Sequence, residues 1–350
     1  MTPQTQQQPA AFAPPVGLGQ RILQVHPTLA CNLRCTHCYS FSGPEQRGAL
    51  DLSLLRDALT DAAALGYESV AVSGGEPLAY RGLVPLLEHA RSLGLRTLVT
   101  TNGTLLDDVR TRRLRDLVDV LAISVDGPPE IHNQVRASER AFEQTEAGIK
   151  TAADAGMCFG IIHALSRRTW ERLAWLGDFA VEHGAALLHI HPLERSGRAA
   201  AGMAGDAPDD DVLARAWLII AAIEAEHPGL TVQYDVFDRD LLRQRPELVY
   251  AGDRDSVSGI ASDLMGVLVV EDDGSVVPLS YGMSRALAVC NLRHQRLSDA
   301  WSEYEQTRYL SFRSLCRDVW REVAATESEL PFFDWHELIV ARSRVPHPSG

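Results

Sequence analysis

The six cysteines stand at 31, 35, 38, 158, 290 and 316, and the first three crowd into the run Cys31-Asn-Leu-Arg-Cys35-Thr-His-Cys38-Tyr39. Three thiolates spaced C-x3-C-x2-C can hold three corners of a cubic iron–sulfur cluster and leave the fourth iron open to an outside ligand. Zinc is the competing reading, with His37 or a distant side chain as its fourth ligand. A disulfide framework would spread its cysteines along the chain, so a tight group points to metal or redox work in a reducing compartment. Cys158, Cys290 and Cys316 then read as small apolar residues of the interior.

Further runs carry groups able to meet a polar ligand. Ser73-Gly74-Gly75-Glu76-Pro77 combines two glycines that permit close backbone approach, a carboxylate, and a proline that fixes the turn; the plain alternative is a strand-to-helix turn. Asn102 in Thr100-Thr101-Asn102-Gly103, and Ser124 in Ser124-Val-Asp126-Gly, offer short polar side chains to hydroxyls or a carboxylate, or serve only as turns. Arg136 could grip a carboxylate with its planar fork or form a surface ion pair. Ile162 could pack on a flat ring or belong to the core. His189 and His191 share one side of a strand, as metal ligands or as a hydrogen-bonded barrel edge.

The elements that must position these residues show in the hydrophobic rhythm. Short β-type runs at 22–25, 69–72, 96–100, 120–125, 158–163 and 187–191 alternate with helical patterns at 52–65, 83–93, 105–117, 141–155 and 169–183. That alternation predicts an α/β fold with parallel strands and right-handed crossovers, in which loops at the carboxyl ends of strands carry the site. Every run named above leaves such an end. Residues 1–20, rich in Gln, Pro and Ala, read as a flexible tail. Residues 21–200 form the strand–helix body, and 201–350 a C-terminal unit. Across that boundary 199–211 reads as a linker, and within the C-terminal unit 212–226 reads as a helix, 266–280 as a hairpin across Asp-Asp-Gly and 297–325 as a long helix.

The chain has 350 residues, 45 % hydrophobic and 23 % charged, values of a folded globular protein and not of a disordered one. A net charge of −13 repels phosphate backbones and anionic lipid, which disfavours nucleic acid and membrane surfaces as partners. No apolar run approaches the roughly 20 residues of a membrane span, and no Lys or Arg in the first twenty opens a signal peptide. The expected location is cytoplasmic.

The cysteine run, with Gly-Gly-Glu-Pro about 40 residues later and each following a consecutive strand, resembles the hallmark of the radical S-adenosylmethionine (radical SAM) enzymes over about residues 22–198. The resemblance implies a partial (β/α)6 TIM-type barrel. It also implies that Cys31, Cys35 and Cys38 ligate a [4Fe-4S] cluster whose open iron chelates S-adenosyl-L-methionine. Gly74, Gly75, Glu76 and Pro77 would meet the methionyl ammonium, and Ser124 and Arg136 its carboxylate. Asn102, Tyr39 and Ile162 would lie against the cofactor, and the loop of Leu193 near adenine or substrate. His37 replaces the aromatic residue usual before the third cysteine. The Ser-x-Asp-Gly…Arg run is similar to the branch containing peptide maturases. Its C-terminal SPASM or twitch module is matched here by a twitch-like α+β cap in which Leu279-Ser280 replaces the usual cysteine, so no auxiliary cluster is expected.

The implied activity is reductive cleavage of S-adenosylmethionine to a 5′-deoxyadenosyl radical that abstracts hydrogen from a precursor-peptide side chain, for crosslinking or epimerisation, with a reductant such as ferredoxin or flavodoxin. The alternatives are an epimerase, dehydrogenase or decarboxylase acting on a sugar or nucleoside, and a non-catalytic zinc-stabilised binding module.

Overall fold

A computed structural model describes residues 21–250 and 260–345; the expected tail at 1–20 lies outside them. Six strands fall where the rhythm put them: β1 Ile22–Val25, β2 Ser69–Val72, β3 Arg96–Thr101, β4 Val120–Ser124, β5 Phe159–Leu165 and β6 Leu187–Pro192. They pair in parallel in chain order. The crossover helices are α1 Leu52–Ala64, α2 Leu83–Ser92, α3 Asp108–Leu114, α4 Pro129–Arg136, α5 Ala141–Asp154 and α6 Leu173–Glu182. In α1 the buried stripe is Leu55, Ala58, Leu59 and Ala62, the i, i+3, i+4, i+7 spacing of one helical face, whereas α4 buries His132 and Arg136.

Beyond β6 come α7 Gly197–Gly202, α8 Asp210–Glu226, β7 Thr231–Tyr234, β8 Phe237–Asp238, α9 Arg239–Gln244, α10 Ala261–Leu264, β9 Val267–Val270, β10 Ser275–Pro278 and β11 Cys290–Asn291. The last elements are α11 Leu297–Gln306, α12 Arg308–Ala325, β12 Phe332–Phe333 and α13 Trp335–Ser343. β7 continues the parallel sheet beside β6, and β9 pairs in parallel with the other side of β1. The result is a ten-stranded sheet in the order β11-β10-β9-β1-β2-β3-β4-β5-β6-β7. The hairpin expected at 266–280 is β9–β10.

Two expectations change. The stretch 199–211, read as a linker, begins as the helix α7, because the alanines after Arg198 favour helix. The long helix expected over 297–325 breaks at Thr307, whose φ of −127° and ψ of −91° leave helical space while its hydroxyl donates to the Glu303 carbonyl at 2.6 Å, a local bond that competes with helix continuation. Cys290 and Cys316 are buried as expected, whereas Cys158 is only half-buried. Among the described residues no helix is long and apolar enough to cross a membrane.

Candidate functional site

The chain leaves β1 into a long loop pinned on three sides. From β2, Gly75 N–H donates to Thr28 O at 2.8 Å and Glu76 N–H to Ala30 O at 2.9 Å. This contact is why the turn is Gly-Gly: a Cβ at Gly75 would collide with the Ala30 carbonyl, and Gly74 has a φ of +103°. The glycines here admit the cysteine loop's own backbone. From α4, Val135 O accepts Thr36 N–H at 2.8 Å. From α7, Arg198 donates Nε to Cys35 O at 2.8 Å and Nη2 to Ser42 O at 2.5 Å, and its own N–H bonds Cys38 O. A Cβ on Gly197, whose φ is +56°, would strike the Tyr39 backbone.

Each thiol in the loop has a polar neighbour of its own. Cys31 Sγ accepts Leu33 N–H at 3.4 Å and faces the Asn102 amide at 3.9 Å. Cys35 Sγ lies 3.8 Å from Arg136 Nη1, and Cys38 Sγ 3.5 Å from Ser40 Oγ. Burial pushes the Cys31 thiol up to about 12 and raises Cys35 despite Arg136, so both need a cation or metal to ionise. Among the described residues no three His, Cys, Asp or Glu side chains surround a common point as ligands of one ion would. Three soft sulfur donors on one loop, each met by an N–H or O–H, are a donor set that fits an iron–sulfur cluster.

Glu76, fully buried, accepts from Leu78 N (3.0 Å), Thr101 Oγ1 (2.7 Å) and Asn102 N (2.9 Å). Burial raises its pKa against those three donors. A carboxylate offers about four lone-pair positions, which leaves room for one further donor. Pro77 is buried at the start of the following turn. Asn102 reaches back to Asn32 at 3.0 Å as well as to Cys31.

Arg136 is not a surface residue: its Nε bonds Asp126 Oδ2 at 2.6 Å, with both side chains buried. Burial works against the charge on Asp126, yet the Arg136 guanidinium holds its carboxyl well below the usual range. His37 stands 3.6 Å from Asp126 Oδ1 and stays neutral, lowered to about 3 by burial. Ser124 is half-buried at the end of β4 and registers against Ile162. Leu193 packs apart with Ala199 and Met203 and does not line the chamber described next.

A cavity of about 440 Å³ fills the barrel lumen and meets the cysteine loop at Tyr39 and the turn after β2 at Ser73, whose hydroxyls are 3.4 Å apart. Ile162 lines its wall, as do His189, His191, Glu194 and, from the C-terminal elements, Asp235, Tyr281, Asp334 and His336. Tyr281 is fixed by its hydroxyl on Asp272 at 2.9 Å and by contacts with the Tyr39 and His26 rings. Asp126, Asp235, Asp334 and His336 were not singled out from sequence. Asp126 lay inside the Ser-x-Asp-Gly run; the others sit on or beside β7 and α13, which had no strong pattern of their own. Burial raises Glu194 to about 8 and Asp334 to about 7, each helped by neighbouring carboxylates.

Comparison with known proteins gives a consistent outcome. A family model described as the radical SAM superfamily matches residues 25–180. The chain is 33 % identical to an AdoMet-dependent heme synthase of Methanosarcina barkeri over 181 residues, 51 % of this chain and 52 % of that protein. It is 30 % identical to the PqqA peptide cyclase of Methylocella silvestris over 185 residues, 52 % of this chain and 48 % of the other. It thus spans about half the length of the curated relatives it matches. In fold it is similar to Streptococcus suis SuiB bound to S-adenosylmethionine, with a TM-score of 0.66 and 19 % identity over 85 % of this chain and 68 % of that one. It is also similar to anSMEcpe with bound AdoMet, with a TM-score of 0.62 and 17 % identity over 92 % and 95 %. The pinned three-cysteine loop and most of the parallel barrel lie within residues 25–180, which match the radical SAM superfamily and form a domain of that kind.

Proposed function

We propose that this chain is a radical SAM enzyme that acts on a side chain of a precursor peptide. The observation that carries the reading is the continuity of the cysteine loop with the lumen through Tyr39 and Ser73, which puts the place where S-adenosylmethionine would be cleaved beside the place where a C–H bond can be presented. Held by Cys31, Cys35 and Cys38, a [4Fe-4S] cluster would supply the electron that cleaves S-adenosylmethionine to a 5′-deoxyadenosyl radical. The rest of the work falls to the chain. Arg136 and the Asn102 amide place positive charge and a donor on the thiolates, Glu76 keeps one acceptor position for an ammonium, and Ser124 offers a hydroxyl to a carboxylate. The lumen walls would shelter the reacting carbon from bulk water.

The peptide is favoured by the company the chain keeps: the PqqA peptide cyclase among its relatives, and SuiB with its precursor peptide SuiA and anSMEcpe with a Kp18Cys peptide among similar folds. A second reading, a small polar metabolite, is favoured by the histidines and carboxylates that line the lumen. A zinc module gains no support from the arrangement of donors, because a cube spreads its ligands over separate corners and one ion gathers them.

Anaerobic reconstitution should give about four irons per chain, and Cys35→Ala should lose both iron and 5′-deoxyadenosine formation. Turnover with deuterated candidate peptides and metabolites, read as label in 5′-deoxyadenosine, separates the two substrate classes. A colourless chain with one zinc, or a Cys35→Ala variant that still forms 5′-deoxyadenosine, would overturn the proposal.

A further inference from the structure

On the lumen wall opposite β2 and β3, His189 of β6 and Asp235, just after β7, form a close pair: Nε2 lies 2.6 Å from Asp235 Oδ2. The other Asp235 oxygen accepts Gln233 Nε2 at 2.9 Å, so the carboxylate is held at both ends. A carboxylate on one ring nitrogen fixes the tautomer, placing the proton on Nε2 and the lone pair on Nδ1. Among the described residues Nδ1 has no protein partner, and His189 lines the cavity. Burial works against protonation of His189, but Asp235 outweighs it and the pKa is raised; Asp235 in turn is lowered to about 2, His189 overcoming its burial. The neighbouring His191, with its ring centroid 6.0 Å away, is lowered to about 4 by burial. The two histidines on one strand face therefore differ: one is paired and basic, the other neutral.

Resting on the radical reading above, we propose that His189 is the acid–base residue of the lumen, with Asp235 as its positioning residue. The substrate it serves bears a hydroxyl or N–H on the carbon that loses hydrogen. A carbon radical makes the adjoining O–H or N–H more acidic. In the step that bond breaks, its proton forms Nδ1–H on His189, and the imidazolium charge is balanced by Asp235; no electron is transferred. His191, His336, Glu194 and Asp334 share the cavity with the pair and are the groups whose charge its titration feels.

Two measurements on the full chain test this. NMR of histidine-labelled protein should show His189 titrating above a free histidine and Asp235→Asn bringing it down. With the deuterated compound that labels 5′-deoxyadenosine in wild type, His189→Gln and Asp235→Asn should keep label transfer within about threefold. Product formed per abstraction should fall about a hundredfold, and the loss of rate at acid pH should disappear in His189→Gln. Unchanged product per abstraction, label transfer lost in step with product, or a His189 titration that ignores Asp235→Asn would each overturn the assignment. Failure of the underlying radical reading is distinct: wild type itself would then pass no label from any candidate, and the proton-transfer role would fall with it.

Discussion

Asp126→Asn isolates the buried charge pair beneath the cysteine loop. The substitution keeps side-chain volume but removes the charge facing Arg136, whose Nε sits 2.6 Å from the lost carboxylate oxygen with both partners almost wholly buried. The remaining polar contact of the guanidinium is Cys35 Sγ at 3.8 Å, while His37 and His132, 3.6 and 3.8 Å from the carboxylate, are neutral and offer no counter-charge. Breaking a buried pair by neutralising one partner costs about 3–5 kcal/mol; the thiol contact and the residual amide dipole place this case near the lower end, about 3 kcal/mol. That is a sizeable part of the 5–15 kcal/mol a domain typically has. Urea denaturation of wild type, Asp126→Asn, Arg136→Met and the double variant reads it directly, as a shift in midpoint at constant slope. The double variant should be more stable than the sum of the singles by about 2 kcal/mol, since it leaves no orphan charge. A cost below about 1 kcal/mol for Asp126→Asn, or strict additivity, would refute a buried ion pair.

Gly197→Ala should cost about 1–3 kcal/mol, because the position combines positive φ with contact against the Tyr39 backbone; lower iron retention after reconstitution, relative to Gly202→Ala on the open side of α7, is the check. Glu76→Gln should weaken S-adenosylmethionine binding about ten- to a hundredfold, measured by calorimetry, since charge-assisted acceptance is worth roughly 1.5–3 kcal/mol; unchanged affinity would refute an ammonium contact. Stability should decline as pH drops below about 6.5. His26 and His191 are lowered by burial to about 3 and 4, so the unfolded chain takes up protons first and is favoured through that window. His26→Phe, which removes an imidazole whose two nitrogens have no partner among the described residues, should flatten the acid limb of a thermal-denaturation series.

The six barrel strands and the pinned cysteine run were legible because apolar periodicity and glycine turns are local signals. β7 and β9 were harder: β7 shows only Thr-Val-Gln-Tyr, and β9 read as a hairpin partner without a hint that its free edge would meet β1. Asp235 and Asp334 became visible only through the pairing of β7 with β6 and the placement of α13. Glu76 and Arg136 were found by type and spacing, but their protein partners, Thr101 and Asn102 for one and Asp126 for the other, are products of packing. Leu193 follows β6, and its packing with Ala199 and Met203 is likewise a product of tertiary structure.

The pairing of β9 with β1 has a consequence for biogenesis. Arg21, just before β1, binds Asp263, 242 positions later, so one edge of the first strand waits for that length of polypeptide to emerge. At about 5–20 residues per second, ribosomal synthesis leaves that edge bare for roughly 10–50 s, a template for wrong partners. The thiols just downstream share the delay, which sets the interval in which a nascent chain depends on chaperones and on the reducing state of its surroundings.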